Sequence, residues 1–261
     1  MIPAGYNPFY SLAGFLVGVL VGMTGVGGGS LMTPVLILFF GFHPAIAVGT
    51  DLLHASVAKS VGSVVHAFRK TIEWRIVFQL ACGSIPASVL TLFIMNKNPE
   101  ISGHSAGVLN LLLGAALSLT GLAVFFRPMI LQWADRRFTA NTEADVSRWT
   151  IILGISLGVL VSLTSVGAGA IGTTALLILY PRLPVSRIAG SDIAHAVPLT
   201  LIAGVGHWLM GSVNLTLMAA LLAGSIPGIT IGSLIGSRSS DSFLRPVLAV
   251  TLAVVGVRLL S

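Results

Sequence analysis

Ten apolar runs constrain this chain more than anything else in it, at 9–23, 30–42, 45–66, 72–95, 105–126, 149–164, 170–181, 187–210, 214–236 and 243–260. Crossing a hydrocarbon core of roughly 30 Å takes about 20 helical residues, and the longer runs have that reach. They lack the alternation of period two that marks a membrane barrel, and in lipid each backbone N–H and C=O must find a partner within its own segment, so helix is the predicted structure. Runs 30–42 and 170–181 are shorter and are predicted as half-helices or arms of a hairpin. Charged residues make up only 8% of the chain and apolar residues 55%, whereas a soluble globule would carry about a quarter charged. With a mean hydropathy of +0.97, most of the outer surface faces lipid. The predicted fold is an all-α, polytopic transmembrane bundle.

The net charge of +6 does not point to nucleic acid, because the basic residues are confined to short connections and read as topology signals. Cys82 stands alone in an apolar run, which excludes a disulfide framework and a thiolate metal site; a buried structural thiol is expected. Residues 1–10 show neither a basic n-region nor a cleavage signature, so the first run is expected to be retained. The one sizeable polar stretch, 127–148, with Arg127, Asp135, Arg136, Arg137, Glu143, Asp145 and Arg148, is read as a cytoplasmic linker.

The chain repeats itself. A shift of 140 residues lays Gly18-Val19-Leu20-Val21 on Gly158-Val159-Leu160-Val161, and the string TGVGGGS at 24–30 on TSVGAGA at 164–170. After one extra residue near Pro181 the shift becomes 141; Gly49, Asp51 and His54 then fall on Gly190, Asp192 and His195, His66 on His207, and GSIP at 83–86 on GSIP at 224–227. Leu and Val would match by chance in two apolar stretches, but Asp, His and Pro are scarce here, and their shared register argues for duplication. The expected organisation is a first repeat at 1–126 and a second at 149–261, joined by the linker. If each repeat makes an odd number of crossings, the basic connections at 69–75, 127–148, 182–187 and 238–245 share one side of the membrane. An inverted-topology repeat is therefore expected, with a site near the midplane where the repeats meet.

Candidate site residues fall in three groups. The glycine strings interrupt apolar helices, and a helix restarting after such a break offers free N–H groups and a dipole to an anion. Thr24, Gly25, Gly27, Gly28, Gly29 and Ser30, with Thr164, Ser165, Gly167, Gly169 and Ala170, are accordingly candidate binding residues. The alternative is that these glycines serve close helix packing. Asp51 and His54 are three apart and share a helix face, as do Asp192 and His195. Ionisable groups inside a membrane segment usually face a cavity or a partner; the rival reading is that Thr50-Asp51 and Ser191-Asp192 cap the starts of their helices. Lys59 stands on the broad face that carries Asp51, His54 and His66, either attracting an anion or pairing with Asp51, and Thr200 holds its place in the second repeat.

His66 and His207 lie near run ends, where an interfacial histidine is ordinary. The two Asp-x-x-His pairs form no closed metal ligand set, so no metal is expected. No nucleotide-binding loop, nucleophile elbow or catalytic Ser, His and Asp spacing is present, so no enzyme and no cofactor are expected, and a gradient would have to supply the energy.

Two copies of a Thr-x-Val-Gly-x-Gly break, each followed about 20 residues later by Gly-Thr/Ser-Asp and then by Gly-Ser-Ile-Pro, resemble the sulfite exporter TauE/SafE family. The resemblance covers nearly the whole chain outside the linker. It implies a multi-pass permease of the bacterial inner membrane that moves sulfite, sulfoacetate or a related organosulfonate without a bound cofactor; export coupled to an ion or proton gradient is the expected mode. Lys59 and Ala168, the latter standing where the first string has Gly28, map onto no family role. A non-transporting membrane scaffold and an anion channel remain the alternatives.

Overall fold

In a computed structural model, residues 7–24, 29–98, 106–131, 143–167, 169–236 and 241–260 are described. They form ten main helices: α1 (Pro8–Thr24), α2 (Gly29–Leu38), α3 (Pro44–Phe68), α4 (Trp74–Lys97), α5 (Ala106–Phe125), α6 (Glu143–Thr164), α7 (Ala170–Leu179), α8 (Val185–Leu209), α9 (Leu215–Gly236) and α10 (Asp241–Leu260). No strand occurs among the described residues. Each helix overlaps one apolar run of the sequence. The last residues of the polar stretch 127–148, from Glu143, form the first turns of α6, whose opening acids suit the positive end of the helix dipole.

Among the described residues, five helices are long and apolar enough to cross a membrane, lying within α4, α5, α6, α8 and α9. The ten residues of α2 and of α7 rise about 15 Å at 1.5 Å per residue, half of a hydrocarbon core. Large apolar side chains such as Phe78, Leu90, Phe93, Leu111 and Val254 cover the outside. Thr33, Asp51, His54, Ser84, Asp192, His195 and Ser225 are buried inside. This distribution, greasy outside and polar within, suits a lipid solvent.

Packing joins the repeats crosswise. The first helix of each repeat lies against the fourth helix of the other, α1 on α9 and α6 on α4. Small residues make both contacts: Gly14 and Gly18 of α1 meet the backbone of Leu221 and Ser225, and their counterparts Gly154 and Gly158 of α6 meet Leu80 and Ser84. A methyl group at any of the four would overlap main-chain atoms of the facing helix. The positions advance together, so these pairs run parallel.

Two further pairs bring equivalent helices face to face. Along α3 and α8, Gly49 meets His207, Leu53 meets Gly204, Gly62 meets Ile193 and His66 meets Gly190. Here one number rises as the other falls, so α3 and α8 are antiparallel. Gly121 meets Ala249 while Ser118 meets Gly256, so α5 and α10 are antiparallel too. At one end of the bundle, Arg75 pairs with Glu143 at 3.2 Å and Arg187 pairs with Glu73. The turns before α4 and α8 and the start of α6 therefore share a side.

Candidate functional site

Asp51 and Asp192 sit well inside their helices, 0% and 1% exposed. α3 begins seven residues before Asp51, at Pro44, with His43 as its N-cap, and α8 begins as far before Asp192, at Val185. Neither carboxylate caps its own helix. The neighbouring hydroxyls do cap, but across the repeats. Thr50 Oγ1 accepts the N–H of Asn214 at the start of α9, and Ser191 Oγ accepts the N–H of Glu73 at the start of α4.

The buried acids are held by hydroxyls from the short helices. Thr33 of α2 donates to Asp51 Oδ2 at 2.6 Å, and its counterpart Thr173 of α7 donates to Asp192 Oδ2 at 2.9 Å. Ser165, in the second glycine string, also donates to Asp51 Oδ2, at 2.9 Å. The matching residue of the first string is Gly25, which has no hydroxyl, so the two carboxylates are not equivalent. Gly172 leaves room for Asp192, since a Cβ there would come within 2.5 Å of Asp192 Oδ1.

Each histidine reaches into the other repeat. His54 Nε2 shares a hydrogen bond of 2.8 Å with Ser225 Oγ, and His195 Nε2 shares one of 2.8 Å with Ser84 Oγ. Ser84 and Ser225 are the serines of the duplicated GSIP tetrapeptides. His54 also turns Nδ1 toward Asp51 Oδ1, 3.6 Å away. An acid, an imidazole and a hydroxyl thus form a line from the middle of α3 to α9.

That line ends at a partly open cavity of about 160 Å³ lined by α1, α2, α3, α8 and α9. Among the described residues, His54, Lys59, Ser225 and Ser233 supply its polar side chains, and none of those lining it is a carboxylate. Lys59 is 8% exposed and close enough to Asp51 and Asp192 to interact electrostatically with both. Little water screens these charges, so the field in the cavity is set by the lysine and the two carboxylates together.

The glycine strings are described in part. Gly25, Gly27, Gly28 and Ala168 lie outside the described residues, as do the side chains of Thr24 and Ser30; Gly29 opens α2 and Ala170 opens α7. In the second string the chain turns sharply, with φ of +57° at Ser165, +117° at Gly167 and +129° at Gly169. Thr164 bonds to its own backbone, donating to Leu160 O and accepting from Val166 N. Its hydroxyl closes the end of α6.

Two expectations need correction. Cys82 is exposed, because it faces an apolar groove between α4, α5 and α6 rather than the core. His207 is buried, because it sits between α3 and α6, against Gly49 and with its Nε2 bonded to Ser162 O, whereas His66 is half-buried and bonds Thr71 Oγ1. Thr33, Thr173, Ser84 and Ser225 were not among the expected site residues. The signal for them was present, since each is matched between the repeats.

The chain was compared with known proteins. The family model for the sulfite exporter TauE/SafE matches residues 10–259. The probable membrane transporter protein YjnA of Bacillus subtilis (strain 168) is 38% identical over 260 residues, covering 95% of this chain and 98% of that protein. The probable membrane transporter protein YdhB of the same organism is 26% identical over 250 residues, covering 94% and 97%. A probable membrane transporter protein of Xylella fastidiosa (strain Temecula1) is 26% identical over 235 residues, covering 88% and 85%. No solved structure matches the chain. With a match that reaches into every helix described above, this multi-pass membrane protein belongs to the sulfite exporter TauE/SafE family.

Proposed function

We propose that the protein is a secondary transporter of the bacterial inner membrane that exports a small sulfur-containing anion, sulfite or an organosulfonate, with protons as the coupling ion. The observation that carries this reading is the cavity: a small space between helices of both repeats, with Lys59, His54 and Ser225 in its wall and no carboxylate among its described lining residues. The family supports the substrate class, and the cavity supports the sign of the charge. His54 stands between Asp51 and the cavity, so a proton moved along that line changes the field at the bound anion.

Inverted topology of the repeats fits the same picture. A two-fold axis in the membrane plane makes equivalent helices antiparallel, and α3 with α8 and α5 with α10 run that way. The ion pairs Arg75 to Glu143 and Arg187 to Glu73 gather basic connections at one end, in keeping with the positive-inside rule. Rocking of the repeats would break and remake the crossed His to Ser and Asp to Ser bonds, exposing the cavity first to one side and then to the other. Glycine-string amides near Gly27–Ser30 and Gly167–Ala170 are proposed to border the path of the anion.

Purified protein in proteoliposomes tests the reading. Labelled sulfite or ethanesulfonate should accumulate in response to an imposed pH gradient, saturably, and collapse of the gradient should abolish accumulation. Flux that is equal with and without the gradient, or absent for each anion in both directions, would overturn it. Replacing Lys59 by Thr, the residue of the second repeat, should lower uptake at least tenfold while the far-UV helical signal stays intact.

A further inference from the structure

A second set of polar side chains lies in the half of the bundle away from the basic connections, and the cavity does not use it. α8 starts beside Arg187, at the end where the ion pairs gather, and its 25 residues rise about 37 Å toward His207 and the turn at Gly211. His207 Nε2 donates to Ser162 O at 2.9 Å, and Ser162 Oγ shares a hydrogen bond of 2.7 Å with Ser88 Oγ. One turn back along the same face of α4, Ser84 Oγ meets His195 Nε2 at 2.8 Å. His195 lies one turn of α8 from Asp192, and all six side chains are at most 1% exposed. From His207 to His195 the chain of groups covers about 18 Å of helix.

Two hydroxyls in contact admit no anion, but they can pass a proton, because a serine accepts one on a lone pair and gives up its own. An imidazole does the same between its two nitrogens. The atoms that would take up and deliver the proton are open. Nδ1 of His207, Nδ1 of His195 and Oδ1 of Asp192 are buried and have no hydrogen-bond partner among the described residues. Such atoms are costly inside a membrane protein, and these stand at the two ends of the chain. The first repeat has no equivalent chain. Its register puts Gly22 at the place of Ser162 and Ile229 at that of Ser88; neither has a hydroxyl, and both line the cavity. The duplicated framework thus keeps hydroxyls on one side and space on the other.

We infer that His207, Ser162, Ser88, Ser84 and His195 form a proton path from the outer face of the membrane to Asp192, separate from the anion cavity. The inference rests on the proton-coupled carrier reading and gives the coupling ion its own route. A proton taken up at His207 Nδ1 releases the one on Nε2 toward Ser162; each serine passes one on, and His195 delivers one to Asp192 Oδ1. The flanking helices add no charge, since α4 has none between Arg75 and Lys97 and α6 none after Arg148. The charged and titratable groups at the inner end are Asp192 itself and Asp51, His54 and Lys59 of α3. Lys59 interacts with Asp192, so a proton arriving there removes a negative charge and leaves more of the lysine's field to the anion.

The full chain in proteoliposomes is read in two ways. One is accumulation of labelled sulfite driven by an imposed pH gradient. The other is exchange of labelled for unlabelled sulfite at equal pH, which needs the cavity but no net proton movement. Ser88→Ala, Ser162→Ala and His207→Gln should each lower accumulation about tenfold, a barrier change of about 1.4 kcal/mol, with exchange within about twofold of the unaltered protein. Ser88→Thr, which keeps a hydroxyl, should retain both activities. Accumulation unchanged in Ser88→Ala and in His207→Gln overturns the inference, as does loss of accumulation and exchange together in variants that melt like the unaltered protein. Exchange by the unaltered protein with no response to the gradient overturns proton coupling, and the path with it. Absence of both accumulation and exchange overturns the carrier reading itself.

Discussion

Asp51 depends on two hydroxyls that reach it from different repeats, Thr33 and Ser165, both bonded to Oδ2. Removing either leaves a buried carboxylate with one donor fewer, which costs about 1–2 kcal/mol. Ser165→Ala and Thr33→Val should each lower the unfolding free energy by that amount, read from denaturant titration as a lower midpoint at unchanged slope. The double variant should lose more than the sum, because each donor compensates for the loss of the other; strict additivity in a double-mutant cycle would show that the two bonds are independent. Ser165→Gly should lose less than Ser165→Ala, since glycine relieves the cost of φ at +57° while removing the same hydroxyl. The acids and histidines were legible in the sequence because such residues are rare in an apolar run and came in matched pairs. Their partners were hidden, because Thr and Ser are ordinary in membrane helices and the bonds they make span up to 171 residues of chain.

At the scale of the helices, boundaries could be read closely because apolar runs end where the chain must turn. α8 ends ahead of Gly211 at φ +75°, and α3 ends ahead of Lys70, which occupies the same left-handed position at φ +53° without glycine's freedom. Lys70→Gly should therefore stabilise the protein by about 1 kcal/mol, seen as a higher melting temperature; a lower one would mean that the lysine side chain matters more than its backbone strain. What periodicity could not show was which helix meets which, since an apolar face does not name its partner. The glycines of α1, α6 and α9 mark the close contacts only once the facing backbone is known. Gly154→Ala should cost about 1–3 kcal/mol through overlap with Leu80 O. Gly107→Ala, with no heavy atom within 4 Å of the added carbon, is the matched control and should not weaken the fold.

For the molecule as a whole, the charge pattern of the connections led to the expectation of inverted repeats, and the antiparallel pairing of α3 with α8 leads to the same proposal from packing alone. Lys70 and Gly211 are equivalent turns, yet inversion places them on opposite faces of the membrane. In a Cys82→Ser background, an impermeant maleimide applied to intact cells should label a cysteine at 211 and not one at 70. Labelling of both from outside would end the inverted arrangement. Crossed packing also bears on how the chain is made. The glycine ridge of α1 has its mate in α9, some two hundred residues further along. During synthesis α1 must therefore wait in the bilayer, its notched flank filled by lipid, until nearly all of the chain has left the ribosome. Neither repeat alone can become a finished body, and the last steps of assembly are an exchange of lipid for the other half.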